Sequence, residues 1–341
     1  QAMSFCDLHM HSTASDGTDA PEALPVLAKA AGVCAIALTD HDTTAGVAAC
    51  AQACKEQGIA FVPGIELSTD PSAVRHEPLP DGRLGTLHIL GLFIDPDNAA
   101  LQELHHRMLE VRQQRNPQIF ENLNNLGVRI TYEEVQTMAR EMGSEVIGRP
   151  HIAQMLVRKS YVKSISDAFT RYIGEGKPAY ARKQLLHPAE AIDIIHQAGG
   201  IASLAHPVQL RCPDDAALVH VIKRLAAVGL DAIETRHRDH TPAQIVRYSE
   251  IASQFNLLIT GGSDYHGKRK PELIGSQNVP LSVYENLLAH QSSNPLRIDE
   301  IVPSVLHELK AVDFTLAAMS FAQVMTQRLH HRLLRGDETM I

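Results

Sequence analysis

"VCAIALTDHDTTAGVAACAQACKEQGIAFVPGIELST", residues 33–69, sets the fold class. Its opening apolar run reads as a strand buried on both faces, and the run ends in the polar "TDHD". "TTAGVAACAQACKEQG" then reads as a helix stopped by glycine, and "IAFVPGIELST" as the next strand. Just upstream, "PEALPVLAKAAG" (21–32) reads as a helix with proline at its start and glycine at its end. Helix, strand, helix, strand with short connections predicts βα units in a mainly parallel sheet or barrel. Such folds collect their chemistry at the carboxyl ends of the strands.

Those ends are rich in metal-ligating residue types. "FCDLHMHSTASDG" (5–17) places His9 and His11 two apart, so a strand would present both imidazoles on one face, with Asp16 close behind. Further ends supply His41 in "TDHD", Glu66 in "GIE", His88 in "LHILG", His206 in "LAHP", and Asp264 and His266 in "GSDYHG". A single histidine at a strand end is most often structural; a ligand type at every end is not a chance pattern. Imidazoles mixed with carboxylates suit two or three divalent ions of intermediate hardness, Mn²⁺ first, with Fe²⁺ or Zn²⁺ as alternatives. Asp7 and Asp40 read either as acceptors that orient ligand rings or as strand-end caps.

The rhythm breaks after "LHILGLFI" (87–94), where long polar helices are predicted over roughly 98–126, 131–142, 150–158 and 164–174. It resumes at "HPAEAIDIIHQAGGIASLAHP" (187–207). The expected organisation is a discontinuous barrel over 3–95 and 186–285, a helical insertion over 96–185, and a helical C-terminal extension over 286–341. Residues 101–185 hold 13 Lys or Arg against 9 Asp or Glu, a net +4, while the whole chain is −8. The overall charge argues against a general nucleic-acid coat protein; the basic insertion suits either an anionic substrate or a solvated helix face. No apolar run approaches the ~20 residues that cross a bilayer. No basic-then-apolar leader opens the chain, and five cysteines without framework spacing fit a reducing, cytoplasmic setting. Cys50 and Cys54 read as small buried hydrophobes.

Taken in order, "DLHMHSTASDGT", "ALTDHDT", "GIELS", "HILG", "AHP" and "GSDYHG" resemble the successive motifs of the PHP (polymerase and histidinol phosphatase) superfamily. The resemblance implies a metal-dependent phosphoesterase on a distorted (βα)₇ barrel. It is nearest to the branch of nucleoside 3′,5′-bisphosphate phosphatases and related 5′→3′ exoribonucleases, which carries a helical insertion at the same place. On that resemblance His9, His11, Glu66 and Asp264 hold one ion, Glu66 bridges to a second held by His88 and His206, and Asp16, His41 and His266 hold a third. Catalysis would rest on His9, His11, Glu66, His206, Asp264 and His266 through a water activated between cations.

Substrate selection is expected from the insertion. Arg149 in "VIGRPHIAQML" precedes a proline at a helix start, and Lys177 in "YIGEGKPAY" lies in a glycine-flanked loop; both stretches resemble phosphate-contacting segments of that branch. His237 in "IETRHRDHT" is a weaker candidate, for the mouth of the site. His151, His187 and His196 read as structural. The loop "RHEPLPDGRLG" (75–85) and the chain beyond ~285 match nothing in the family pattern. The leading expectation is hydrolysis of the 3′-phosphate of a nucleoside 3′,5′-bisphosphate such as pAp, with short RNA trimmed from its 5′ end as a related activity. The partner is thus a small nucleotide or short RNA, with neither a membrane nor a stable protein partner implied. Histidinol-phosphate phosphatase is the alternative enzyme, and a non-catalytic, metal-stabilised PHP module the alternative of another class.

Overall fold

Strand β1 (Phe5–Asp7) lies at the seam of a barrel that closes through the residues just beyond it. The structure is a computed structural model and describes residues 4–74, 85–141, 147–181 and 185–293. After β1 come α1 (Leu24–Ala30), β2 (Val33–Leu38), α2 (Val47–Gln57), β3 (Ala60–Thr69) and β4 (Leu87–Leu92). Helices α3 (Ala99–Asn125), α4 (Tyr132–Glu141), α5 (Arg149–Arg158), α6 (Ile165–Ala168) and α7 (Pro188–Gln197) follow. The βα rhythm returns with β5 (Ile201–Leu204), α8 (Asp215–Ala227), β6 (Ala232–Arg236), α9 (Pro242–Gln254) and β7 (Leu258–Gly261), and β8 (Val279–Pro280) leads into α10 (Leu281–Ser293). Gly58 ends α2 at φ 69°, donating its N–H back to the carbonyls of Cys54 and Lys55, a conformation that only glycine adopts without strain.

The sheet order is β7-β6-β5-β4-β3-β2-β1-β8. The ring is completed between β1 and β7: Leu8 donates to the Gly261 carbonyl at 3.1 Å, Asp264 donates to the His9 carbonyl at 2.9 Å, and Met10 bridges Tyr265 in parallel. Gly262 is required at this seam, because a Cβ there would overlap the backbone of His9. Strand β8 stays outside the ring, antiparallel to the start of β1. The mixed α/β barrel is as the sequence predicts, and its distortion has one source. Strand β4 runs antiparallel to both β3 and β5, whereas β1-β2, β2-β3, β5-β6 and β6-β7 are parallel.

Leu8, Ala37, Val62, Leu90, Leu92 and Ala232 belong to one buried cluster drawn from across the sheet, and truncating Leu90 or Leu92 to alanine would cost about 2–5 kcal/mol. A larger cluster packs α3, α7, α8 and α9 on the outside of β3 to β6, and a smaller one packs α1 and α2 near β1 to β3. The helices after β4 have an apolar cluster of their own, including Ile119, Leu123, Val135, Ile152, Leu156 and Ile173. Helices α3, α4 and α5 fall within a residue or two of their predicted spans, and the fourth predicted helix resolves into α6 and a wider turn over Phe169–Ile173. The 75–84 part of the polar loop, and the predicted tail helix with His330 and His331, lie outside the described residues.

Candidate metal centre

The carboxyl ends of the parallel strands deliver ligands to one end of the barrel, and the reversed strand does so with its beginning. His88 is the second residue of β4; because β4 points the other way, its start sits where its neighbours finish. His9 and His11 fall just past β1, with ring centroids 5.2 Å apart. His9, His11, Glu66 and Asp264 are all buried.

Glu66 is the hub. Its Oε2 lies 3.3 Å from His9 Nε2, 3.2 Å from His11 Nε2 and 3.1 Å from His41 Nδ1. Its Oε1 lies 2.7 Å from His88 Nδ1 and 2.9 Å from His206 Nε2. Asp264 Oδ1 stands 3.6 Å and 3.3 Å from the Nε2 atoms of His9 and His11. Asp16 Oδ1 lies 3.2 Å from His266 Nε2 and 3.8 Å from His11 Nδ1, and His41 joins the same group. The nine residues predicted as ligands thus converge; the close groups they form overlap, with His11 beside both Asp264 and the Asp16–His41–His266 set, and His41 also beside Glu66 and His88.

The donor set fits divalent ions. Ligand atoms ~2.0–2.2 Å from one ion stand roughly 2.8–3.6 Å apart in octahedral or tetrahedral arrangements, and the separations from His9 and His11 to Glu66 and Asp264 fall in that interval. Buried polar atoms normally find hydrogen-bond partners, yet His9 Nε2, both nitrogens of His11, His41 Nδ1 and Asp16 Oδ1 have none. They face one another at close range, as the ligand atoms of a shared cation do. The free ring nitrogens are set by the other side of each ring: His9 Nδ1 pairs with Glu234 Oε1 at 3.0 Å, and His266 Nδ1 with the Asp264 carbonyl at 2.8 Å.

Burial by itself would raise the carboxyl pKa values, but neighbouring imidazoles hold Asp16, Glu66 and Asp264 well below the usual range; His266 and His41 act on Asp16, His41 and His88 on Glu66, and His11 and His237 on Asp264. Glu234, likewise buried, is brought to about 2 by His9 and His237. Burial takes His41 down to about 3 and also lowers His206. His11 goes the other way, to about 9, since the Asp264 and Glu66 carboxylates close to its Nε2 outweigh its burial. Ionised carboxylates packed this deeply need positive charge beside them, which protons supply in part and divalent ions would supply in full.

A cleft of about 260 Å³ opens over the centre, with Asp16, His41 and His88 on the barrel side and Arg115, Arg149 and Phe169 on the helical side. A second cleft of about 170 Å³ holds Thr69, Asp70, Thr86 and Tyr180, and shares His88, Arg115 and Arg149 with the first. Arg149, the first residue of α5, lies 5.6 Å from the ring centre of Phe169 and 5.3 Å from that of Tyr180, and burial lowers its pKa. Among the described residues it forms no ion pair. The neighbouring Asn116 ties α3 to the approach of α5 by donating to the Ile147 carbonyl at 3.1 Å.

Other expectations are revised. His237 is not at the mouth: it is fully buried, with Nε2 3.4 Å from Asp264 Oδ2, because it follows β6 on the inner side of the ring. Lys177 is exposed and lines neither cleft, its turn being carried away from the centre beyond Gly174. His151, read as structural, is buried and lines the first cleft while its Nδ1 accepts the Gly148 N–H at 3.0 Å. Asp7 accepts from the backbone of Ser263 and Gly275, and Asp40 from Ser12 and Ser15, so both anchor loops and orient no ligand ring. Glu234 and Arg115 were not singled out. Glu234 lies within β6 as Glu66 lies within β3, a carboxylate inside a buried strand, and that signal could have found it; Arg115 is one charge among many on a polar helix.

The PHP-domain family matches residues 7–210 of the sequence. The chain belongs to the PHP-domain family. Among PHP-domain relatives, the 5′-3′ exoribonuclease Rnm of Escherichia coli is 34% identical over 262 residues, 76% of this chain and 84% of that one. The 3′,5′-nucleoside bisphosphate phosphatase of Chromobacterium violaceum is 32% identical over 264 residues, 77% of this chain and 88% of the other. A solved structure from Bifidobacterium adolescentis, described as that of a metal-dependent phosphoesterase, superimposes with a TM-score of 0.72 at 31% identity, covering 85% of this chain and 96% of its own. This PHP-domain chain is a metal-dependent hydrolase of phosphoester bonds. Among the described residues no helix is long and apolar enough to cross a membrane.

Proposed function

We propose that this protein removes the 3′-phosphate of nucleoside 3′,5′-bisphosphates to leave the 5′-monophosphate, and that it also trims short RNA from the 5′ end. The observation that carries this reading is Arg149, a half-buried guanidinium without an ion pair among the described residues, standing where the two clefts meet. A substrate with one phosphate at the ligand cluster and another against Arg149 would use both features. RNA offers a 3′ phosphodiester where the bisphosphate offers a monoester, so one site can serve both.

Divalent ions bound here would polarise the phosphate oxygens and activate the attacking water; Mn²⁺ is our first choice for imidazoles mixed with carboxylates. His9, His11, Glu66 and Asp264 would hold one ion, Glu66 with His88 and His206 a second, and Asp16, His41 and His266 a third. Arg149 fixes the distal phosphate by charge-assisted hydrogen bonds, with Arg115 beside it. Phe169 and Tyr180 keep the guanidinium flat and partly dry, which strengthens its hold on an anion. We take residues 96–185 as the substrate-selecting unit, 3–95 with 186–285 as the metal-binding barrel, and the cytoplasm as the setting, in keeping with five free thiols.

The test is turnover by Mn²⁺-loaded protein of a nucleoside 3′,5′-bisphosphate, a 5′-phosphorylated RNA trinucleotide, histidinol phosphate and an aryl phosphate, side by side. Preference for the first two by tenfold or more in kcat/KM supports the reading, about 1.4 kcal/mol of discrimination. Preference for histidinol phosphate moves the assignment to the alternative enzyme. No turnover of any of the four moves it to a non-catalytic module.

A further inference from the structure

Glu234 is the third of the five residues of β6, fully buried, and neither of its oxygens is free. Oε1 meets His9 Nδ1 at 3.0 Å, and Oε2 accepts the backbone N–H of His206 at 2.7 Å. These two partners come from β1 and from the turn after β5, and through Glu66 they serve opposite oxygens of the hub: His9 faces Oε2 and His206 faces Oε1. His206 has φ 28°, an uncommon conformation for a residue with a side chain, and it precedes a proline, which restricts its backbone further. Something must hold that turn in place, and the Glu234 bond to its amide does so.

We infer that Glu234 is a positioning residue that aims a ligand of each of two metal ions at once. With its proton on Nδ1 and shared with Glu234, His9 has a bare Nε2 directed at Glu66 and Asp264, as a metal ligand requires. His9, Glu234 and His237 also lie close enough to hold an ion of their own. His9 Nδ1 and both Glu234 oxygens are already bonded, and the unbonded Nε2 of His237 stands 3.4 Å from Asp264 Oδ2. Glu234 therefore supports the metal centre from behind and touches no ion.

The amide of glutamine cannot replace this carboxylate. Glu234→Gln has one oxygen for two donors: either its NH₂ faces His9, drawing the proton to Nε2 and blocking the ligand atom, or it faces the His206 N–H and repels it. The inference rests on the metal-centre reading above, and the experiment separates the two. Zn²⁺ affinity and stoichiometry of wild type and E234Q are measured by competition with a chromophoric chelator. Apo-protein melting and the ¹⁵N tautomer signature of His9 in the Zn²⁺ form are recorded alongside. As a control, Asp231→Asn removes a buried carboxylate that pairs with His196 at 2.6 Å just ahead of β6.

E234Q should bind at least one ion ~10–100-fold more weakly and show an altered His9 tautomer, while D231N lowers the melting temperature and keeps wild-type affinity. Wild-type affinity with an unchanged tautomer in E234Q would overturn the inference; so would an equal loss of affinity in D231N. If E234Q does not fold, Glu234→Asp is read by the same criteria, since it keeps the charge but is too short to reach both partners. A wild-type protein that takes up no Zn²⁺ would instead refute the metal-centre reading itself.

Discussion

Replacing Arg149 by methionine keeps an unbranched apolar stem between Phe169 and Tyr180 and removes the charge. The free protein has already withdrawn part of this guanidinium from water between the two rings, so a phosphate that binds there meets a partly desolvated cation. A hydrogen bond to a charged group contributes about 1.5–3 kcal/mol. Lost from the transition state, that amounts to a ~10–150-fold fall in kcat/KM. Stability should move little: two cation–π contacts of ~0.5–1 kcal/mol each are lost, and an unpaired, half-buried charge is relieved. The assay compares a nucleoside 3′,5′-bisphosphate with the corresponding 3′-monophosphate, which has nothing to offer Arg149. R149M should lose on the first substrate, remain within ~threefold of wild type on the second, and titrate Mn²⁺ as wild type does. Equal losses on both substrates, or a shifted metal titration, would refute the assignment of the distal phosphate to Arg149.

Two further outcomes follow from the barrel itself. Gly262→Ala pushes a methyl group into the His9 backbone at the β1–β7 seam; it should destabilise the protein by about 1–3 kcal/mol and weaken metal binding together, as seen in apo melting and chelator competition, and a change in melting alone would show that His9 had not moved. His187 caps α7, its Nδ1 accepting the Ala189 N–H at 3.2 Å, and burial lowers its pKa. A cap of this kind requires the neutral ring, so its stabilisation is complete above the ordinary histidine value of 6.5 and is lost as pH falls from there through the lowered folded value. His187→Asn keeps an acceptor without a titrating proton, so urea unfolding at pH 5 and pH 7.5 should show the variant gaining on wild type by up to ~1 kcal/mol at the lower pH. A difference between the two proteins that ignores pH would remove His187 as the cause.

The ligand set was legible because a barrel forces strand ends together, so that residues far apart in sequence could be grouped before any coordinate was known. His88 reaches the cluster for a reason the sequence does not show: "LHILG" reads as a strand in either direction, and nothing in its periodicity reveals that β4 runs backwards. The burial of His237 was missed because "TRHRDHT" looks like a charged surface loop, and only the closure of the ring turns it inward. The difference between Arg149 and Lys177, two cations in similar glycine- and proline-flanked contexts, is tertiary: one starts a helix that faces the centre, and the other sits on a turn beyond it. Asp7 and Asp40 show the same limit, for a carboxylate beside a ligand histidine in sequence bonded to quite different backbone in space.

The reversal of β4 also settles where its successor must begin. A strand that starts at the ligand end finishes at the opposite rim, so α3 leaves from there, with Asn98 bonded to the Gln197 carbonyl where α7 ends. Its 27 residues rise about 40 Å, and they bring Arg115 back up to the clefts. One inverted strand thus works as a scaffold pole, carrying a set of helices up the outside of the barrel without breaking its hoop. Every predicted metal ligand belongs to the hoop, and both arginines at the clefts belong to the load on the pole. A change in that load alone would leave every predicted ligand where it stands.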